Sequence, residues 1–387
     1  MNKNIFCGRG YKLAHREIMD LINLCFGCTA PDKRLDHLLP KCYREQYRPQ
    51  DSNYVIIDGD GNLTATVGAY DHEIMVCGHR IPCRGIGNVG VHPDHRGRGY
   101  MKDAMNKSLE DMIADGIALS TLGGRRQRYR YFGYDKAGPM YHFQISADSI
   151  RHNFGASPVP FTVREVTDPA DPVIDDIRDL NAASPFTPLR EREKYLDIAN
   201  TWKCNLLVFS ENGRFVGYCI KDTGNNITEV QVVCPRDFMG LVFSLYGYIG
   251  GPYAIHLPAY QHDYAADLAP VAENMLQNCA MHFNILNYRL ITEAFLALKL
   301  TYTTLPDGEL SFLIHGYAGD ESIRISVKDG KSTVEPIPET ASVDFELSHL
   351  EAIEFLYSPI CPRRESSCDL AKLWFPLPLC MYRADEV

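Results

Sequence analysis

Between residues 86 and 115 of this 387-residue chain the hydrophobic period changes from strand-like to helical across one short turn, His92-Pro93-Asp94-His95-Arg96-Gly97-Arg98-Gly99. Before the turn, Ile86 to His92 reads as the last strand of an antiparallel meander. That meander begins with Asn53 to Asp58, turns at Gly59-Asp60-Gly61-Asn62, and continues through Leu63 to Tyr70 and Ile74 to His79. After the turn, Met101, Ala104, Met105, Leu109, Met112 and Ile113 keep helical spacing as far as Gly116, which stands where a C-terminal cap belongs. Ile117 to Leu122 is strand-like again. A meander followed by strand, turn, helix and strand predicts an α+β fold on a mixed sheet, with a βαβ unit attached to the antiparallel part.

The turn is also where chemistry is expected. Backbone N–H groups at a helix start have no intrahelical partner and point, with the positive end of the helix dipole, at any anion placed there. Gly97 and Gly99 remove side chains that would block the approach, and Arg96 and Arg98 add positive charge, a combination suited to a pyrophosphate. Neither G-x-G-x-x-G nor G-x-x-x-x-G-K-[ST] is present, which disfavours the common nucleotide-binding folds.

A chain of this length predicts two or three domains. The Pro-bearing stretch Asn153 to Pro160 marks the first boundary. Beyond it a similar order recurs: Leu206 to Ser210, the Asn212-Gly213 turn, Phe215 to Lys221, Ile227 to Val233, then a helix from Asp237. The run Phe238 to Gln261 has no Asp, Glu, Lys or Arg, but its six Gly and Pro residues make it a buried helix, turn and strand, with no membrane span. The last part offers a helix over Ile291 to Leu300, strands Glu309 to Gly316 and Glu321 to Lys328, and a capping box, Ser348-His349-Leu350-Glu351, opening a helix through Tyr357. The expected domains are 1–152, 153–285 and 286–387, the last a small α+β unit.

A net charge of −10 argues against nucleic-acid binding and favours a cationic small molecule or a basic peptide as partner, although solubility alone is the simpler account of it. Thirteen scattered cysteines fit no disulfide framework, and Cys25-Phe26-Gly27-Cys28 has no second pair to complete a zinc site. Met1 to Phe6 has no apolar signal segment, so a reduced cytoplasmic protein without a metal is expected.

Val91-His92-Pro93 followed by Arg96-Gly97-Arg98-Gly99-Tyr100-Met101 resembles the coenzyme motif of the GCN5-related N-acetyltransferase (GNAT) superfamily, Arg/Gln-x-x-Gly-x-Gly/Ala after a strand ending in Val-x-Pro. Met101 replaces the superfamily's small residue. With Tyr129-Arg130-Tyr131-Phe132-Gly133-Tyr134 further on, that departure is similar to the enhanced intracellular survival (Eis) branch. The resemblance implies a catalytic GNAT domain, a degenerate GNAT-like copy and a C-terminal sterol-carrier-like (SCP2-like) domain. It implies acetyl-coenzyme A as co-substrate, held by Val89, Gly90, Val91, Arg96, Gly97, Arg98, Gly99, Tyr100, Met101 and Lys102. The middle copy, with Cys234-Pro235-Arg236-Asp237 at the corresponding place, has no Arg-x-x-Gly and should bind no coenzyme.

Amide formation from a thioester needs a neutral amine, a polarised carbonyl and a proton for the leaving thiolate. The resemblance assigns the carbonyl to free N–H groups of Val89, Gly90 and Val91, and the proton to Tyr129 as general acid, with Tyr131 and Tyr134 near enough to leave that choice open. It assigns the amine's proton to the terminal carboxylate of Val387 as general base. The apolar tail Trp374-Phe375-Pro376-Leu377-Pro378-Leu379-Cys380 suits a positioned end. Arg125-Arg126-Gln127-Arg128 is expected to hold the coenzyme's 3′-phosphate, to meet an acidic neighbour, or to be a solvated loop; His92 and His95 are expected to be structural. The implied acceptor is a primary amine on an aminoglycoside- or polyamine-like molecule or on lysine, and the branch's hexamers imply a homo-oligomer. The competing reading is a lipid- or acyl-ligand-binding protein that uses the sterol-carrier-like domain, with the GNAT domain as a non-catalytic scaffold.

Overall fold

The computed structural model describes residues 5–28, 30, 33–155 and 157–387. Met1 to Asn4, and Ala156 of the expected linker, lie outside the described residues. The strands of the first part are β1 (Phe6–Arg9), β2 (Asn53–Ile57), β3 (Leu63–Val76), β4 (His79–Val91), β5 (Leu119–Leu122) and β6 (Asp135–Ile145). The middle part adds β7 (Thr162–Glu165), β8 (Phe186–Pro188), β9 (Asn205–Glu211), β10 (Arg214–Lys221), β11 (Asn226–Val232), β12 (Tyr253–Pro258) and β13 (Asn274–Ile285). These thirteen strands form one mixed sheet in the order β1-β2-β3-β4-β5-β13-β6-β12-β11-β10-β9-β7, with β8 on β3. β14 (Gly308–Gly316), β15 (Gly319–Lys328), β16 (Lys331–Pro336) and β17 (Phe345–Ser348) make a second sheet.

The meander differs from the sequence reading in one respect. Asp71-His72-Glu73, which reads as a break, lies within β3, where its carboxylates pair across the ladder with Arg84 and Arg80 of β4. The chain reverses instead at Cys77-Gly78, whose φ values of 47° and 86° make the tight hairpin turn that a right-handed strand twist favours.

β13 inserts antiparallel between β5 and β6, so that Phe283 faces Thr121 on one side and Asp135 on the other. β6 in turn pairs with β12 along its far edge. The sheet therefore crosses the position of the expected 152/153 boundary, and the two halves exchange strands.

The helix Tyr100–Ala114 buries Tyr100, Ala104, Met105, Leu109 and Met112 against this sheet, while Ile113 of the expected apolar face is exposed. The uncharged run resolves into the helix Phe238–Ile249, a left-handed Gly250 and β12. Among the described residues no helix is long and apolar enough to cross a membrane.

In the last part, the helices Tyr288–Leu300 and His349–Tyr357 join a core that holds Phe312, Phe355, Trp374 and Phe375. The capping box is present, with Glu351 accepting from the Ser348 backbone N–H at 2.9 Å. The same core takes in Ile74, Val76, Ile81 and Cys83 of β3 and β4, so this part docks on the long hairpin. Leu377 to Tyr382 are buried, which brings the tail under the sheet rather than out to solvent.

Candidate active site

β4 pairs with β3 over its full length but with β5 only from Cys83 opposite Leu119 to Ile86 opposite Leu122. Past Ile86 the two parallel strands part, and the Gly87–Val91 stretch has backbone groups on that side with no strand partner. A bulge sharpens the departure: Gly68 faces Gly87 and Thr66 faces Gly90, so both Asn88 and Val89 oppose Val67.

Asn88 sits at φ 38°. Its carboxamide oxygen accepts from Tyr43 at 2.7 Å and Tyr70 at 3.2 Å, and its NH2 donates to Asn53 at 2.7 Å. Gly68 leaves the room, since a Cβ there would lie 2.1 Å from the Asn88 oxygen.

Directly after β4 comes the turn singled out in the sequence. Gly97 and Gly99 have φ of 79° and 85°, values that L side chains seldom adopt, and a Cβ on either would meet open space. Among the described residues the N–H groups of Gly97 through Met101 find no backbone acceptor, and the first helical bonds run from Lys102 and Asp103 to the Gly99 carbonyl. Here the anion-ready helix start exists as expected.

A cavity of about 650 Å³ covers this edge. It is lined by all ten residues predicted to hold the coenzyme: Val89, Gly90, Val91, Arg96, Gly97, Arg98, Gly99, Tyr100, Met101 and Lys102. Cys25, Phe26 and Arg128 line it too, and the sequence offered no sign of the first two. A Cβ on Gly90 would lie 2.8 Å from Cys25, which is how the helix His15–Phe26 closes over the strand. His92 and His95 are tied into the turn, His92 Nδ1 accepting from the Asp94 N–H at 3.3 Å and His95 lying 3.7 Å from Asp58.

Val387 packs on β4 at the point of divergence. A Cβ on Gly87 would be 3.3 Å from the Val387 carboxyl carbon, and one on Gly85 would be 2.8 Å from its Cγ2. At about 3.3 Å of rise per residue, Val387 thus lies roughly 7–13 Å along the strand from Val89 to Val91. A second cavity, about 380 Å³, opens beside it, where Asp71, Glu73, Glu191 and Asp385 outnumber Lys41, Arg190 and Lys194.

The three tyrosines separate by environment. Tyr134 is fully buried, its hydroxyl 2.6 Å from Ser120 Oγ. Tyr131 is 62% exposed with its ring 4.8 Å from Lys102 Nζ. Tyr129 is 6% exposed, its ring filling the space that Gly124 leaves open. Burial pushes its hydroxyl above the ordinary tyrosine range, with Arg128 opposing, so it stays protonated at neutral pH.

Of the basic run, Arg126 meets an acidic neighbour. It holds Asp135 through two bonds at 2.5 and 3.0 Å, and Arg130 adds a third contact at 3.1 Å. Arg128 lines the cavity of about 650 Å³. Asn284 donates to the Phe132 carbonyl at 3.0 Å and His349 to the Gly133 carbonyl at 2.8 Å, fixing the end of the tyrosine segment from outside it. Among the described residues no group of three or more His, Cys, Asp or Glu could hold a metal ion.

Residues 12–137 match the family model of the acetyltransferase (GNAT) domain. Among solved structures, the chain is similar to a GCN5-related N-acetyltransferase from Anabaena variabilis (14% identity, 98% of each chain covered, TM-score 0.69). It is similar also to a GCN5-related N-acetyltransferase from Kribbella flavida (16% identity, 100% of this chain and 99% of that one, TM-score 0.67). Eis1 from Mycobacterium abscessus superposes at 14% identity over 99% of this chain and 100% of that one, with a TM-score of 0.60. At these identities the likeness is one of fold. No curated protein matches the sequence.

Proposed function

We propose that this N-acetyltransferase, whose residues 12–137 form a GNAT acetyltransferase domain, moves the acetyl group of acetyl-coenzyme A onto a primary amine of a cationic small molecule or an exposed lysine. The observation that carries the reading is the parting of β4 from β5 at Ile86, immediately before an anion-ready turn and with Val387 packed at Gly87.

The chemistry follows from that layout. The N–H groups of Gly97 to Met101, with Arg96 and Arg98, take the pyrophosphate. N–H groups of the Val89 to Val91 stretch on the side away from β3 hold the pantetheine arm and polarise the thioester carbonyl. The acceptor amine enters from the second cavity, and the Val387 carboxylate takes its proton. The amine nitrogen attacks the carbonyl carbon, the oxyanion is held by a β4 N–H, and the C–S bond breaks. Tyr129 gives its proton to the departing thiolate, leaving the amide and free coenzyme A.

The domains proposed are 1–152, 153–285 and 286–387, the last sterol-carrier-like, in a cytoplasmic homo-oligomer related to the Eis branch. The aromatic filling of the last domain supports a role in carrying the tail. The test is thiol release from acetyl-coenzyme A in the presence of polyamines, aminoglycosides and lysine peptides. Acceptor-dependent release with at least one class is expected; none with any of them would overturn the reading.

A further inference from the structure

We infer that Arg190 of the middle region is a positioning residue for the acetyl transfer: its buried ion pair with Asp385 fixes the segment that carries Val387 over β4. The inference rests on the reading of Val387 as general base. It gives the second half of the sheet, which lacks a coenzyme turn, a task in the reaction of the first.

Arg190 lies two residues past β8 with its side chain 2% exposed. Its Nε and Nη2 donate to the two oxygens of Asp385 at 2.9 and 2.7 Å, and its Nη1 and Nη2 donate to the two oxygens of Glu229 at 2.9 and 2.7 Å. One planar fork therefore grips two carboxylates, one in the body of the sheet on β11 and one in the tail. The far carboxylate is held in turn, with Tyr218 Oη 2.5 Å from Glu229. From the first part of the chain, Lys41 Nζ donates to the Ala384 carbonyl at 2.5 Å, and the hydroxyls of Tyr260 and Tyr382 pair just before it.

Stability is a poor explanation for such an arrangement. Desolvating an arginine and two carboxylates is costly, and well-packed apolar residues often serve a core equally well. What a bidentate guanidinium supplies is direction, since both oxygens of a carboxylate must lie in its plane. One residue, Glu386, separates Asp385 from Val387, so their Cα atoms lie at most about 7 Å apart along extended chain, and anchoring one confines the other. Misplacing a catalytic group by about 1 Å can cost on the order of 100-fold in rate. None of Arg190, Glu229, Asp385 or Lys41 lines the coenzyme cavity, so acetyl-coenzyme A binding is separable from the effect.

The test compares Asp385→Asn with a variant lacking Val387, both assayed with the acceptor found by thiol release. For Asp385→Asn we expect kcat to fall roughly 10- to 100-fold, KM for acetyl-coenzyme A to stay within about twofold, and hydrogen exchange across residues 380–387 to speed up. Unchanged kcat beside an inactive Val387 deletion would overturn the clamp while leaving the base assignment intact. Full activity of the deletion variant would overturn the base assignment itself. A rise in acceptor KM with kcat unchanged would make Arg190 and Asp385 acceptor ligands instead, and would also refute the inference. Should Asp385→Asn fail to fold, the triple variant Arg190→Met, Glu229→Gln, Asp385→Asn removes the three charges of the ion-pair cluster together, and the same drop in kcat is expected of it.

Discussion

Asn88 illustrates how a residue without chemistry of its own shapes a reaction centre. Its carboxamide joins β2, β3 and Tyr43 to the bulge of β4, just where that strand parts from β5. Tyr129 is a different case, a residue whose assigned role depends on keeping its proton until the thiolate leaves. Burial favours the protonated form and Arg128 opposes it. Tyr129→Phe is expected to lower kcat by roughly 10²- to 10⁴-fold, the usual span of a lost general acid, with little change in KM for acetyl-coenzyme A. Steady-state kinetics checks this, and near-normal turnover would remove Tyr129 from the mechanism.

At the scale of elements, the segment from Arg126 to Gly133 is held by contacts from distant parts of the chain. His349, at the start of its helix, donates from Nε2 to the Gly133 carbonyl, while Nδ1 accepts from the Tyr317 N–H at 3.1 Å. Both ring nitrogens are used by the neutral imidazole, and a second proton would face the Tyr317 N–H. Burial accordingly brings the His349 pKa down to about 4. Because the folded value lies below the unfolded one near 6.5, the unfolded chain takes up the proton first as pH falls. The stabilisation is complete above about pH 6.5 and is lost on going down toward pH 4, a difference of about 3 kcal/mol by linkage. Thermal unfolding of the wild type should therefore drop more steeply over this interval than that of His349→Gln. Equal slopes would show that another group governs the acid limb.

For the whole molecule, the exchanged strand sets what can fold alone. β13 supplies the partner of β5 along one edge and of β6 along the other, and it begins only at Asn274, far downstream of the first boundary expected from the sequence. A fragment of residues 1–152 would expose both edges, and unpaired strand edges are templates for aggregation. Expressed by itself, that fragment is expected to show no cooperative thermal transition by circular dichroism, whereas residues 1–285 carry the complete sheet. A sharp transition for the shorter fragment would mean that β5 and β6 can pair directly.

Patterns confined to neighbouring residues were legible in the amino-acid order. The period change at His92–Gly99, the Asn212-Gly213 turn and the Ser348 capping box all depend on contacts within a few positions, and all are present. The residues that line the cavity at this turn belonged to the same class, because a strand, a glycine turn and a helix start are consecutive in the chain. Contacts between distant positions were not legible. Nothing local marks Asp71-His72-Glu73 as strand, since its place in β3 depends on Arg80 and Arg84 across the ladder. Nothing local tells β13 to part β5 from β6, or sets Arg190 between Glu229 and Asp385. The sequence by itself determined the elements and the anion-ready turn, whose hydrogen bonds close within a few residues. Only the tertiary structure decided the order of strands and the resting place of Val387, because burial and ion pairing join positions that the linear order keeps far apart.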